Sequence, residues 1–130
     1  MQRFTVRTKR RAELVDVTRM VEEAALASGA GEGLVTVFVP HTTAGVTINE
    51  NADPSVCRDI LARLERLAPL GEREYTHAEG NSDAHIKASL VGSSVQVMLE
   101  GGRLALGAWQ GVYLAEFDGP RAREVWVRVV

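Results

Sequence analysis

The chain opens on a strict alternation. In Gln2 to Thr8, Phe4 and Val6 fall on one face and polar residues on the other, the period-two pattern of a half-buried strand. Leu14, Val15 and Val17 mark a second short strand. Asp16 or Thr18 then caps a helix that carries Met20, Val21, Ala24, Ala25 and Leu26 and ends near Ser28-Gly29. Gly29, Gly31 and Gly33 make a flexible connection that matches no phosphate-loop pattern. Leu34 to Val39 is β-branched and nearly all apolar, which predicts a central strand buried on both faces; Pro40 ends it and delivers His41 at its edge. Val46-Thr47-Ile48 reads as another strand. Asp53-Pro54 opens a helix by a defined mechanism, an aspartate cap followed by proline at the first helical position. Val56, Ile60, Leu61, Leu64 and Leu67 recur at helical spacing until Pro69 closes the segment. A short helix is predicted from Ser82 or Asp83 to about Leu90, stopped by Gly92.

The last third is β. Ser94 to Leu99, Arg103 to Leu106, Val112 to Phe117 and Glu124 to Val130 read as strands, with Glu100-Gly101-Gly102 as a tight turn and Asp118-Gly119-Pro120 as a hairpin turn. In the final strand Val125, Val127 and Val129 face one way, and Glu124, Trp126, Arg128 and Val130 the other. No repeat or linker interrupts residues 1–130, so the expectation is one α+β domain dominated by antiparallel sheet and flanked by two or three helices.

Composition narrows the function more than the fold. At 130 residues the chain can bury roughly two-thirds of its unfolded surface. A net charge of -2 gives no global field for nucleic acid, and no polybasic block addresses a membrane surface. The lone cysteine, Cys57, excludes an intrachain disulfide framework and a cysteine-cluster zinc site; it reads as a buried, inert thiol. The N-terminus lacks the apolar core of a signal peptide and no stretch is long enough to span a bilayer, so a cytoplasmic location is the default expectation.

Chemistry concentrates in three polar runs: His41-Thr42-Thr43-Ala44-Gly45, Asn49-Glu50-Asn51-Ala52-Asp53-Pro54, and His77 through His85. All three histidines of the chain lie in two of them. A single histidine is ordinarily structural. Three gathered beside carboxylates and amides point to a site, with metal ligation by His41, His77 and His85 and direct contact with an anionic substrate as competing uses. Glu50 has no structural task legible in the sequence and is the better candidate base or metal holder, whereas capping alone accounts for Asp53. Glu50, Asp53 and His85 are the catalytic candidates, and Glu50, Asp53, Glu79 or Asp83 could serve as a fourth ligand or orient a ring. For substrate contact the candidates are Thr42, Thr43, Asn49, Asn81, Lys87, Trp109 and Gln110. Lys87 and the helix start near Asn81 would suit an anion, and Trp109 with Gln110 a ring-shaped substrate.

Together these runs resemble the YjbQ family, the uncharacterised protein family UPF0047, which is associated with a secondary thiamine-phosphate synthase activity. The likeness extends through Asn81-Ser82-Asp83-Ala84-His85-Ile86-Lys87, Gly101-Gly102-Arg103-Leu104-Ala105-Leu106-Gly107, Trp109-Gln110-Gly111 and Glu116-Phe117-Asp118-Gly119-Pro120-Arg121, in order along almost the whole chain. Thr43 stands where serine is common, Met98 where proline is frequent and Ala108 where threonine is usual. The resemblance implies a β-sandwich core, a homotrimer, and a polar pocket near a subunit interface with His41, His77 and His85 as its metal or anion contacts. It implies a reaction that joins hydroxymethylpyrimidine pyrophosphate to thiazole phosphate with release of pyrophosphate. A divalent metal fits that chemistry: magnesium is usual for diphosphates, whereas three imidazoles favour zinc. The competing expectations are a three-histidine metal-dependent hydrolase of a phosphorylated metabolite and a non-catalytic metabolite-binding protein. Neither nucleic acid nor a membrane is an expected partner.

Overall fold

The computed structural model describes residues 1–130, in the order β1 (Gln2–Arg7), β2 (Glu13–Asp16), α1 (Thr18–Ala27), β3 (Gly33–Phe38), β4 (Ala44–Glu50), α2 (Pro54–Leu67), α3 (Ser82–Val91), β5 (Ser94–Glu100), β6 (Arg103–Leu104), β7 (Gln110–Glu116) and β8 (Ala122–Val129). Five strands form one antiparallel sheet in the order β1-β8-β3-β5-β6, and three form a second in the order β2-β7-β4. The expected α+β sandwich is the observed fold, with three helices where two or three were expected. Val35, Val37, Val97, Leu99, Val125 and Val127 from the larger sheet meet Ala44, Val46, Val112 and Leu114 from the smaller, and α1 adds Val21, Ala24 and Ala25 to the same core.

The smaller sheet is covered on its other face as well. Alternation along β7 turns Ala115 away from the main core, where it packs with Phe117 against Ala84 and Ala88 of α3, backed by Leu61 and Leu64 of α2. Close approach of α3 requires Gly45: a β-carbon there would lie 2.5 Å from the Gly92 carbonyl oxygen, where the chain leaves the helix. This contact seats α3, and the side chains it carries, against β4.

Four expectations need correction. β3 is the central strand of its sheet, yet only its inner face is sealed: Val35 and Val37 are buried, while Phe38 is exposed on the uncovered side beside the Trp126 ring. Residues 118–120 do not close a hairpin, because β7 and β8 belong to different sheets and the segment carries the chain from one to the other. The strand expected over Arg103 to Leu106 is confined to two residues. Cys57 is half-buried rather than sealed in the core. No helix is long and apolar enough to cross a membrane.

The α2 start follows the sequence closely: the Asp53 carboxylate accepts the Ser55 N–H at 2.9 Å, with proline at the first position. Asp53→Ala is expected to destabilise the domain through the lost cap, read as a lower urea midpoint at unchanged m. A change in m would mean that α2 had detached as a unit.

Candidate functional site

The crossover between the sheets, residues 117–121, runs past the segment that leaves β3 and the start of α3. These pieces enclose an open cleft of about 440 Å³ with no hydrophobic side chain in its lining. His41, His77 and His85 stand around it, with Asn81, Arg121 and Arg123. His85 is the pivot, since it also lines the two adjoining hollows, one shared with His77 and one with His41. The His77 and His85 rings meet edge-to-face with centroids 5.3 Å apart. Glu79 is 3.8 Å from His77 Nε2.

His41 is held differently. Its Nε2 accepts the backbone N–H of Glu124 at 2.8 Å. That bond fixes the ring against β8 and occupies the Nε2 lone pair. Burial lowers the His41 pKa from its ordinary value, and the nearby Arg123 guanidinium lowers it further.

Arg123 forms the floor. It is only 4% exposed, and its charge is balanced by Glu116, which is fully buried. Nε donates to both Glu116 carboxylate oxygens at 3.0 Å, and Nη2 donates to Glu116 and to the Thr43 hydroxyl, the latter at 2.8 Å. Glu116 also accepts from the Thr8 hydroxyl at 2.7 Å and from the N–H groups of Phe117 and Asp118. A carboxylate with that many donors is a junction: it fixes Arg123 and the beginning of the crossover together. On the rim, Asp118 accepts from Asn81 Nδ2 at 2.8 Å and from Arg121 Nη2 at 2.9 Å. Burial alone would raise the Asp118 pKa, but those two bonds hold it below the usual aspartate value. Asn81 Oδ1 is sealed from solvent and has no hydrogen-bond partner.

The expected site residues divide into three groups. His41, Thr42, Thr43, His77, Asn81 and His85 come together at the cleft. Asn49, Glu50, Asp53, Trp109 and Gln110 gather instead at the other end of the smaller sheet, where Glu50 pairs with Gln110. The length of β4, about 20 Å at the usual rise, separates the two groups within one chain. Several residues at that end of the sheet have structural tasks. Asp53 caps α2, Asn51 lies across Gly111 so closely that a β-carbon there would meet its amide nitrogen at 2.6 Å, and Gln110 accepts the Gly107 N–H. Trp109 is 66% exposed and forms no wall of the cleft. Lys87 stands alone. It is 2% exposed and paired with Glu65 and, at 3.0 Å, with Asp83, so its charge is turned into the protein.

Arg121, Arg123, Glu116 and Asp118 were not among the expected site residues. For Arg123 a signal existed: it is in phase with Val125 and Val127 on the inward face of β8, where a charge demands a buried partner. Within one chain no three His, Cys, Asp or Glu side chains converge closely enough to hold a metal ion. What the cleft offers is a fixed cation at its base, a second on its rim, and imidazoles able to accept or donate protons.

Comparison with known proteins gives a consistent answer. Residues 2–130 match the family described as UPF0047 protein YjbQ-like. The chain is 50% identical over 128 residues to a UPF0047 protein of Methanocaldococcus jannaschii, covering 98% of this chain and 92% of that protein. It is 45% identical over 130 residues to the UPF0047 protein YugU of Bacillus subtilis, covering 100% and 98%. The crystal structure of an uncharacterised conserved YjbQ/UPF0047 protein from Clostridium acetobutylicum superimposes over 100% of both chains with a TM-score of 0.98 at 51% identity.

Proposed function

Because the chain belongs to the YjbQ-like UPF0047 family, we propose that it is a small-molecule transferase acting on phosphorylated substrates. The reaction proposed is the coupling of hydroxymethylpyrimidine pyrophosphate to thiazole phosphate. The observation that carries this reading is Arg123, a buried guanidinium held at the base of a largely polar cleft beside three histidines. In the reaction the bond between the pyrimidine methylene carbon and the pyrophosphate oxygen breaks, and the electron pair leaves with pyrophosphate. The thiazole nitrogen donates its lone pair to that carbon, giving thiamine phosphate. The chain's task is to stabilise charge on the departing oxygens. Arg123 and Arg121 are placed to do so, with His85 able to protonate the leaving group.

A divalent metal would supply further positive charge to the pyrophosphate. Of the three histidines, His77 and His85, with ring centroids 5.3 Å apart, would be the ones to hold such an ion, and only with further ligands from the substrate or another subunit, because His41 Nε2 is already bonded. Zinc suits these imidazoles, whereas magnesium would need oxygen ligands from the substrate. The distant group of Glu50, Asp53 and Trp109 reaches this chemistry only across a subunit boundary, so the homotrimer is part of the proposal.

The test is thiamine-phosphate formation by metal-stripped protein resupplied with Mg²⁺ or Zn²⁺, wild type beside His85→Ala. A loss of about a hundredfold in the variant is expected for removal of a proton donor. Equal rates in the two proteins would remove His85 from the reaction. Metal-dependent release of phosphate from esters without coupling would favour the hydrolase, and ligand binding without turnover the metabolite-binding protein.

A further inference from the structure

We infer that Arg123 and His41 form a metal-independent seat for one phosphoryl group, with Arg123 donating from Nη1 and His41 from Nδ1 as a neutral ring rather than as a metal ligand. The assignment rests on the reading of the cleft as the substrate site.

The first support is the His41 hydrogen bond. A neutral imidazole has one donor and one acceptor nitrogen; with Nε2 accepting the Glu124 N–H at 2.8 Å, the proton belongs on Nδ1. A metal at Nε2 would have to displace that backbone N–H from a strand it helps to anchor. The second support is the division of labour within Arg123. Nε and Nη2 are fully engaged by Glu116 and Thr43, whereas Nη1 has no partner within the chain and is not among the sealed, unpartnered atoms. Arg123 lines the cleft, so Nη1 is its one nitrogen left for a ligand there. Both residues line the same cleft, and the N–H that holds His41 belongs to the residue following Arg123 on β8.

Charge sets what such a seat accepts. Glu116 balances Arg123, and Asp118 balances Arg121. Glu79 adds a further carboxylate to the lining. The seat therefore supplies oriented donors and no net positive charge. That suits a single phosphoryl group, and the second phosphate of a diphosphate falls to His77, His85 and any cation they hold.

The experiment uses the full chain kept in chelator, with inorganic phosphate as the probe and acetate as the carboxylate control. Nitrogen-15 NMR of the imidazoles is expected to show His41 protonated at Nδ1 before any addition. Phosphate should then shift the His41 Nδ1 and Arg123 side-chain signals to saturation. Arg123→Met alone would leave Glu116 as an unpaired buried charge, so the binding comparison uses Glu116→Gln with Arg123→Met. That pair should weaken phosphate binding by about tenfold or more, the worth of a charge-assisted bond. His41 protonated at Nε2, undiminished phosphate binding in the double variant, acetate binding as tight as phosphate, or a response to phosphate only after metal is added would each overturn the inference. The reaction proposed above fails separately. Phosphate seated as described with no thiamine phosphate formed would sink the synthase reading alone, and undiminished synthesis in the double variant would sink the seat alone.

Discussion

Arg123→Met is expected to lower the unfolding free energy by about 3–5 kcal/mol, the range for breaking a buried ion pair by removing one partner. The loss comes from what remains more than from what is removed. Glu116 is fully buried, and without the guanidinium its charge is held only by the Thr8 hydroxyl and two backbone N–H groups. Glu116→Ala is expected to be comparably damaging, since it strands the guanidinium and frees the N–H groups that start the crossover. The two substitutions should not add. In Glu116→Gln with Arg123→Met no charge is orphaned, and the amide can still accept from Thr8. A double-mutant cycle by urea denaturation should return a coupling of several kcal/mol between these positions. Additive losses would mean that Arg123 and Glu116 contribute independently, contrary to the shared hydrogen bonds.

The second large effect is expected at Asp83. Its carboxylate is fully buried and bridges two cations, accepting from Arg11 Nη1 and Nη2 at 3.0 Å and from Lys87 Nζ at 3.0 Å. Asp83→Asn leaves Lys87 buried with Glu65 as its remaining counter-charge and should cost about 3 kcal/mol. The pH dependence gives the variant a signature. Burial alone would raise the Asp83 pKa, but the hydrogen bonds from Arg11 and Lys87 overcome it and hold the group below its ordinary value. A carboxylate with a depressed folded-state pKa contributes stability that is fully present above its unfolded pKa, about 3.9, and is lost as pH falls through the folded value. The wild type should therefore lose stability steeply on acidification below about pH 4. Asp83→Asn should start lower and fall less over the same window, as followed by urea midpoints across pH. Parallel curves would assign the acid sensitivity to other carboxylates, Asp118 first among them.

Most elements were legible in the sequence because their causes are local. The Asp53 cap, the proline at position 54 and the apolar spacing from Val56 to Leu67 fix α2 with no help from the rest of the chain. Alternation does the same for β1 and β8. Sheet membership is not local. The turn chemistry of Asp118-Gly119-Pro120 says that the chain reverses, not which sheet receives it, and so the crossover read as a hairpin. The candidate site was half legible for the same reason. The runs around positions 41, 77 and 85 converge through contacts made far away in sequence, whereas the runs at 41 and 50 are close in sequence and held apart by a rigid strand. Lys87 read as an anion contact because a helix position carries no mark of its partners, Glu65 and Asp83, one of which lies on another element.

The way the cleft is stitched together also dictates when in folding it comes into being. Thr8 bonds to Arg121 across 113 positions of sequence, His41 to the backbone of Glu124 across 83, and Arg11 to Asp83 across 72. Each closure carries an entropic cost that grows with the logarithm of the loop, so none of these contacts holds until the sheets that frame it have formed. The first and last strands pair with each other, and both are needed before the cleft has a base. Binding competence is consequently a late and indivisible property of this chain. A nascent polypeptide still lacking β8 has no cleft at all, and a ligand that recognises it discriminates finished molecules from unfinished ones.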